Sequence, residues 1–380
     1  MKTLFVHDHQ FALIDSKYYS DGKLTEKTWQ RYLDYCEGLD VVSRVRNGSI
    51  AEIAGLSVSS RPEVAFFCIE KSSVTDRLYS RRVDKILRER ILAADRIVCR
   101  LPSFLGSRAF WLARQLSKRT LVEVVGCPYD ACAGYGSLLA RMYAPIAAYQ
   151  LRRIMAESKY SVYVTSKVLQ ERYPTAGKTV AASNVELMPH SMSANPGAQS
   201  ALKIMFIGSL ASKYKGLSYL QDAMEIASRQ VPGLSLHVLG GGSRAVYVER
   251  YQNHNASYDL VFQDPLRGGE EVLEWLSGGD LYIQPSLQEG LPRALIEAMS
   301  VGLPCVGTTV GGIPELLAKE SIVNTKSPDE LAQKILTYAQ SRDLMINDGA
   351  RNREVSKAYL LTNIEPRRRS LYDAFFDLDA

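Results

Sequence analysis

What most constrains this chain is a repeated pattern: a short apolar run of strand length, a turn that often carries glycine, then a longer amphipathic stretch. Apolar runs of about four to eight residues between turns suit strands buried on both faces, and the amphipathic stretches suit helices that cover them. The pattern predicts repeated βα units and a parallel sheet. It occurs as two series. The first has strand candidates at Thr3–Val6, Leu39–Val45, Val64–Cys68, Arg96–Val98, Thr120–Val125 and Tyr160–Val164, with a long helix near Asp76–Ala94. The second has strands at Leu202–Gly208, Leu234–Gly240, Tyr258–Gln263, Asp280–Ser286 and Pro304–Thr308, with helices at Leu217–Gln230 and Glu270–Ser277. Between the series lies Ser191–Ala201, whose small and turn-forming residues read as a linker. At 380 residues the chain is also long for one core. The expectation is α/β: two Rossmann-like doubly wound domains, 1–195 and 200–355, facing each other across a cleft at the carboxyl ends of both sheets. The segment Thr362–Leu378, within about 360–380, is expected to be a helix that packs back on the first domain.

Composition removes several classes. The six cysteines show no CxxC and no Cys/His ligand spacing, which argues against a disulfide framework or a structural zinc site. The opening MKTLFVHDHQ places His7, Asp8 and His9 where a leader would need apolar residues, and no apolar run reaches bilayer length. A cytoplasmic protein is expected, at the inner face of the membrane if its basic surfaces meet lipid. The net charge of +5 suits an anionic ligand or an anionic membrane without specifying either. Aromatics do not interleave with the basic runs, so no nucleic-acid partner is expected. The one Asp-x-Asp, Asp377–Asp379, ends the chain, and His7, Asp8 and His9 read as a polar loop, so no metal site is expected.

The most informative stretch is Gln284–Pro304. A strand ends near Pro285, Pro292 stands as a first helical residue, and Gly302 and Pro304 mark the helix end. Free backbone N–H groups after Glu289-Gly290-Leu291, with the positive end of the helix dipole, favour a phosphate, and Gly290 lets it come close. Glu297 lies about 12 Å further along that helix. Two readings stand: the two carboxylates hold two parts of an extended ligand, or Glu289 is a helix-start acid and Glu297 an i,i+4 partner of Arg293. Three more glycine-bearing turns follow strands: Gly208–Gly216 with Lys213 and Lys215, Gly240–Ser243 including Gly241, and Val310–Leu317 with Glu315, whose plainer reading is a capped helix start. Singly each is weak. Together they should meet at one edge of a sheet.

Over Leu202–Val323 the sequence resembles the retaining glycosyltransferases of family 4, whose architecture is GT-B. The resemblance rests on the E-x7-E motif Glu289–Glu297 inside SLQEGLPRALIEAMSVGLPCVGTTVGGIPELL and on the upstream glycine–lysine loop. It implies that Glu289 faces the transferred sugar and that Lys215 grips the leaving diphosphate, the two forming the catalytic pair. It implies that Gly290, Leu291 and Pro292 hold sugar and diphosphate and that Glu297 takes the ribose hydroxyls; from the neighbouring glycine turns, Gly208, Ser209, Lys213 and Gly241 are the remaining donor-site candidates. Two departures stand out. Ser209 occupies the place of a family arginine in a loop one residue longer, with Lys213 as the candidate replacement. The first-domain stretch Leu121–Gly136 offers no histidine, leaving Asp130 or backbone groups to serve.

For the acceptor, the loop His7–Lys23 is long for a strand connection and faces the cleft. Asp8, His9, Tyr18 and Tyr19 are its candidate contacts, or ordinary loop residues. Arg77–Arg100 holds eight Arg/Lys against three acids. Val83, Ile86, Leu87 and Ala94 face the core, while Arg77, Arg81, Lys85 and Arg88 form either a lipid-facing surface or a solvated one; the run Arg367-Arg368-Arg369 is read the same way. The resemblance implies transfer of a hexosyl unit from a UDP- or GDP-sugar to a hydroxyl of a glycan or lipid-linked oligosaccharide, with retention, without metal or other cofactor, in surface polysaccharide biosynthesis. The alternatives are a non-catalytic sugar-nucleotide or carbohydrate-binding protein and a GT-B sugar-nucleotide epimerase. A dinucleotide oxidoreductase would need G-x-G-x-x-G after a strand, which is absent.

Overall fold

The computed structural model describes residues 1–22, 24–70, 81–134, 138–197, 202–253 and 257–377. The first series forms one sheet from β1 (Lys2–Ile14), β2 (Lys17–Ser20), β3 (Gly38–Asn47), β4 (Ser57–Val58), β5 (Val64–Phe66), β6 (Ile69–Glu70), β7 (Arg96–Leu101), β8 (Arg119–Val124), β9 (Tyr160–Tyr163) and β10 (Lys178–Ala181). Its parallel part runs β10-β9-β8-β7-β1-β3, with β5 and β6 on the far side of β3. The second series forms a parallel sheet from β11 (Lys203–Ile207), β12 (Ser235–Leu239), β13 (Asp259–Gln263), β14 (Leu281–Gln284), β15 (Cys305–Thr308) and β16 (Ile322–Val323), in the order β13-β12-β11-β14-β15-β16. Both strand orders reverse direction part-way, so both sheets are doubly wound.

Helices cover the sheets. In the first half they are α1 (Glu26–Leu33), α2 (Arg81–Ala93), α3 (Phe104–Gln115), α4 (Pro128–Gly134), α5 (Leu138–Glu157) and α6 (Val168–Arg172). The second half adds α7 (Leu217–Ser228), α8 (Ala245–Asn253), α9 (Glu270–Ser277), α10 (Arg293–Ser300), α11 (Ile313–Leu316), α12 (Pro328–Ala339), α13 (Arg342–Ser356) and α14 (Leu361–Phe376). In α2, Val83, Leu87 and Ile91 recur every fourth residue and are buried, while Arg81, Lys85 and Arg88 are exposed. The expected start of that helix, including Arg77, lies outside the described residues, as do Lys23, Gly136, the last four residues of the expected linker, Leu378 and Asp379. No described helix is long and apolar enough to cross a membrane.

One expectation fails clearly. The stretch after Val6 is not a long loop, because β1 continues to Ile14 and turns back into β2 at Asp15 and Ser16, both at positive φ (46° and 61°). The polar run that suggested a loop is absorbed by a register shift between Val6 and Gln10 against β3. Beyond it Phe11, Ala12 and Ile14 are buried again. Tyr18 stacks on Phe66 with ring centroids 4.3 Å apart, and Tyr19 is buried, so neither is a loose loop side chain.

The chain ends on the domain where it began. Tyr372 of α14 stacks on Tyr32 at 6.0 Å and Phe376 on Tyr35 at 4.8 Å. Beneath them lies the buried carboxylate of Glu123, which accepts from the hydroxyls of Tyr32 (2.7 Å) and Tyr372 (2.8 Å) and faces Arg100 at 3.6 Å. Burial alone would raise its pKa, but Arg100 and Arg31 overcome this and hold the carboxyl below its ordinary value. Arg368 is not part of a solvated or lipid-facing run. It is buried, paired with Glu365 at 2.9 Å and donating to the carbonyl of Ser183 at 2.6 Å.

The domains touch along the carboxyl ends of their sheets. The carboxylate of Glu315 accepts from the backbone N–H groups of Ser166 (2.7 Å), Lys167 (3.0 Å) and Val168 (2.5 Å), so it caps α6 of the first domain rather than its own helix. A Cβ at Gly290 would lie 2.2 Å from the carbonyl oxygen of Val125, and Leu291 packs against the cores of both domains. On the other side the two polypeptide crossings run side by side: Leu187 bridges Leu360, and Leu361 N–H donates to the Leu187 carbonyl at 2.9 Å.

Two outcomes follow from these contacts. Tyr372→Phe should lower stability to urea by about 1–3 kcal/mol, the worth of a hydrogen bond to a buried charged group; an unchanged transition would mean that Glu123 does not depend on that hydroxyl. Glu315→Ala should speed amide hydrogen exchange at Ser166–Val168 about tenfold or more, since those donors lose their acceptor. Unchanged protection there would count against the interdomain cap.

Candidate active site

In the second sheet the order reverses between β11 and β14, which are hydrogen-bonded neighbours. The helices that follow them, α7 and α10, pack into different cores, and the carboxyl edge where their turns meet, with Leu287 N–H donating to the Tyr214 carbonyl at 2.7 Å, is the crevice where such sheets usually take a ligand. The four glycine-bearing turns meet here through their main chains. A Cβ at Gly240 would lie 2.0 Å from the Gly208 carbonyl oxygen, one at Gly216 2.0 Å from that of Pro285, and one at Gly311 2.3 Å from that of Glu289. Gly216 and Gly311 also adopt left-handed φ values of +79° and +55°. Glycine is what lets the turns approach this closely.

Lys215 and Glu289 come from the two sides of the crevice and meet. Lys215 Nζ lies 2.7 Å from Glu289 Oε1, and both side chains are largely shielded from solvent. The same oxygen accepts from Ser286 Oγ at 2.8 Å and Gln284 Nε2 at 3.2 Å. Gln284 in turn accepts from the Tyr282 hydroxyl at 2.7 Å and donates to Ser286 Oγ at 2.7 Å. Three donors thus converge on Oε1, and among the described residues Oε2 has no hydrogen-bond partner. Tyr282, Gln284 and Ser286 were not singled out in the sequence. The signal was there, because a glutamine at the end of an otherwise apolar buried strand must find partners.

Glu297 sits on α10, buried, with Arg293 Nε at 2.9 Å. The i,i+4 pair of the plainer reading therefore exists, but it is lopsided, since the arginine is about half exposed and the carboxylate is not. Burial pushes the Glu297 carboxyl above its ordinary pKa, and Arg293 opposes the shift without cancelling it. Pro292 is the N-cap of α10 in extended conformation, one position earlier than expected, and the helix opens at Arg293. The Gly290 carbonyl accepts from Gly312 N–H at 2.6 Å, which fixes the loop. Gly208 donates to the Leu239 carbonyl, and the Gly241 carbonyl accepts from Leu210. Ser209 and Lys213 are exposed; of the two lysines, it is Lys215 that meets Glu289.

Of the first-domain candidates, Asp8 and His9 lie on β1, beside β7, where that sheet reverses its order. Asp8 accepts from Ser103 Oγ (3.0 Å), Arg44 Nε (3.1 Å) and the N–H groups of Phe104 and Leu105, so its carboxylate anchors the start of α3. His7 Nδ1 lies 3.1 Å from the Arg100 carbonyl, and burial, with Arg100 nearby, pushes its pKa down to about 3. His9 Nε2 lies 2.9 Å from Ser20 Oγ. A cavity of about 460 Å³ opens beside Asp8, His9, Tyr19, Asp21 and Arg46. Asp130, on α4, pairs with Arg172 at 2.7 Å. The last residue of that helix, Gly134, approaches the Glu289 loop, with a Cβ position 3.4 Å from the Leu287 carbonyl oxygen.

Comparison with known proteins bears on the fold and on the second sheet. Residues 201–341 match the family model described as Glycosyl transferases group 1. Protein CapJ of Staphylococcus aureus is 28% identical over 371 residues, covering 97% of this chain and 94% of that one. WcaL of Escherichia coli, a putative colanic acid biosynthesis glycosyltransferase, is 30% identical over 152 residues, which are 37% of this chain and 36% of WcaL. Against such relatives the chain matches only about a third of their length. Among solved structures, sucrose-phosphate synthase from Thermosynechococcus elongatus superposes with TM-score 0.67 at 16% identity over 99% of both chains. Anabaena HepE, solved with UDP and glucose, gives 0.64 at 14% identity over 100% of both. Residues 201–341 thus resemble the group 1 glycosyl transferases, and the whole chain has the GT-B fold.

Proposed function

We propose that this protein is a retaining glycosyltransferase that moves a hexosyl unit from a UDP- or GDP-sugar to a hydroxyl of a glycan or lipid-linked oligosaccharide in surface polysaccharide assembly. The observation that carries the reading is the Lys215–Glu289 pair, set at the sheet reversal among glycine turns and beside the N-terminus of α10. The names of relatives support it. WcaL is described as a putative colanic acid biosynthesis glycosyltransferase and TuaC of Bacillus subtilis as a putative teichuronic acid one, and HepE was solved with UDP-glucose.

In this scheme the donor diphosphate lies over the backbone N–H groups of Gly290 and Leu291 and the start of α10. Lys215 leaves Glu289 for the diphosphate and neutralises the charge that grows as the bond from the anomeric carbon to phosphate oxygen breaks. Glu289, still held by Ser286 and Gln284, turns its second oxygen to a sugar hydroxyl and orients the ring. The acceptor hydroxyl attacks from the face the diphosphate is leaving, and the departing phosphate oxygen takes its proton. Glu297 accepts from the ribose hydroxyls. Lys215 and the backbone dipoles supply the positive potential, so no metal ion or other cofactor enters the scheme. Asp8, His9 and Asp130 line the acceptor side, Asp8 and Asp130 through the elements they anchor.

The direct test incubates the protein with UDP- and GDP-sugars, without added metal, and measures nucleoside diphosphate release. One donor should be turned over, and Glu289→Ala and Lys215→Ala should each lose about 100-fold or more. If no donor is bound or consumed even with glycan or lipid-linked acceptors present, the transferase reading fails. Glu297 gives a pH signature. Its raised pKa means that it takes up a proton at a pH above the ordinary carboxylate range, and the protonated form is a poorer acceptor for ribose. Nucleotide affinity measured by calorimetry should therefore fall as pH drops from neutral into the mildly acidic range, whereas Glu297→Gln should bind weakly with a flatter profile. Equal pH dependence in both proteins would remove Glu297 from the ribose.

A further inference from the structure

A surface helix of a globular protein normally has one apolar face and one polar face. The twenty-residue helix α5 does not. Ala144, Ala148, Leu151, Ile154 and Met155 are buried against the first domain. On the opposite side Leu138, Leu139, Met142, Tyr143, Ile146 and Tyr149 are 45% to 78% exposed. At 3.6 residues per turn these six fall within an arc of about 140° that faces away from the buried set. Tyr129, on the preceding helix, is exposed as well. A contiguous apolar surface of this kind marks an interaction site.

Its charges indicate what covers it. From Leu138 to Ala156 the helix carries Arg141, Arg152 and Arg153 and no acid. All three arginines are exposed. Glu157 stands at the far end and is already paired with Arg114 at 2.5 Å. A second copy of this chain docked by two-fold symmetry would set this basic helix against itself. An anionic lipid surface satisfies both components: the apolar stripe enters the boundary between headgroups and acyl chains, and the arginines meet phosphates. The basic surfaces expected from sequence fit this less well. Arg368 is buried, and the exposed side of α2 pairs its arginines and lysine with one large exposed apolar residue, Leu92.

We infer that α5 seats this protein on an anionic phospholipid surface. α5 also follows α4, whose last residue, Gly134, abuts the loop that carries Glu289. The docked helix therefore sets the rim of the cleft beside the bilayer. On the transferase reading given above, the acceptor is then one whose lipid anchor stays in that membrane.

Flotation with vesicles tests this. The full chain should float with vesicles of phosphatidylcholine and phosphatidylglycerol, much less with phosphatidylcholine alone, and less in high salt. The variant Leu139→Glu/Met142→Glu/Ile146→Glu should lose about tenfold or more of that binding, as should the milder Leu138→Ser/Met142→Ser. Leu92→Glu should float like the parent. The circular dichroism spectrum and urea transition of each variant report that the fold is intact and are expected to be unchanged. The inference is overturned if the parent binds neither vesicle, if both α5 variants float as well as the parent, or if the parent is a dimer that these substitutions dissociate without any vesicle binding. Failure of the transferase reading would appear instead in the donor assay. A protein that floats but consumes no donor keeps the membrane face and loses only the assignment of the acceptor.

Discussion

The site depends on one pairing, that of β11 with β14. These strands are far apart in sequence, yet they hydrogen-bond as neighbours where the sheet reverses its order. Because the chain leaves β11 toward one helix layer and β14 toward the other, their two turns come together at the carboxyl edge, where Leu287 N–H donates to the Tyr214 carbonyl. Lys215 arrives from one side and Glu289 from the other. Every further feature refines that adjacency. The glycine turns let the neighbouring main chains close in, the Tyr282–Gln284–Ser286 relay fixes one carboxylate oxygen, and α10 contributes its N-terminal dipole.

Much of this was legible in the sequence because it is local. A strand buried on both faces must be apolar, a proline marks a helix start, and a glycine marks a close approach. Each sign lies within a few residues of what it specifies. The second domain obeys these rules closely, and the helix Glu270–Ser277 has the expected bounds. The Glu289–Glu297 spacing was equally visible, but whether Lys215 reaches Glu289 depends on strand order, which no local pattern encodes.

The misreadings share the opposite cause. His7–Gln10 looks like a loop because it is polar, yet parallel pairing with β3 carries it through as an irregular strand. Asp8 looks like a free acid at a cleft until α3 is seen to begin against it. Arg368 looks solvated inside an Arg-Arg-Arg run, although one position in a helix turns it inward to Ser183. Glu315 looks like the cap of its own helix and instead serves α6 of the other domain. In each case the partner lies far off in sequence. The exposed stripe of α5 is a different case, because apolarity all round a helix predicts burial, and only the fold reveals that half of it faces outward.

The return of α14 to the first domain means that two segments cross between the domains, and Leu187 and Leu360 bind those crossings to each other. Two separate tethers would permit the lobes to slide or twist. Two tethers fastened together make one connection at one edge of the cleft, and a rotation about it is the movement that would part the far lips. The Glu315 cap and the Gly290–Val125 contact lie at the sheet ends that such a rotation would separate. On the transferase reading, entry of a donor would then require the release of a small set of named contacts, and whatever resets those contacts would also restore the geometry for transfer.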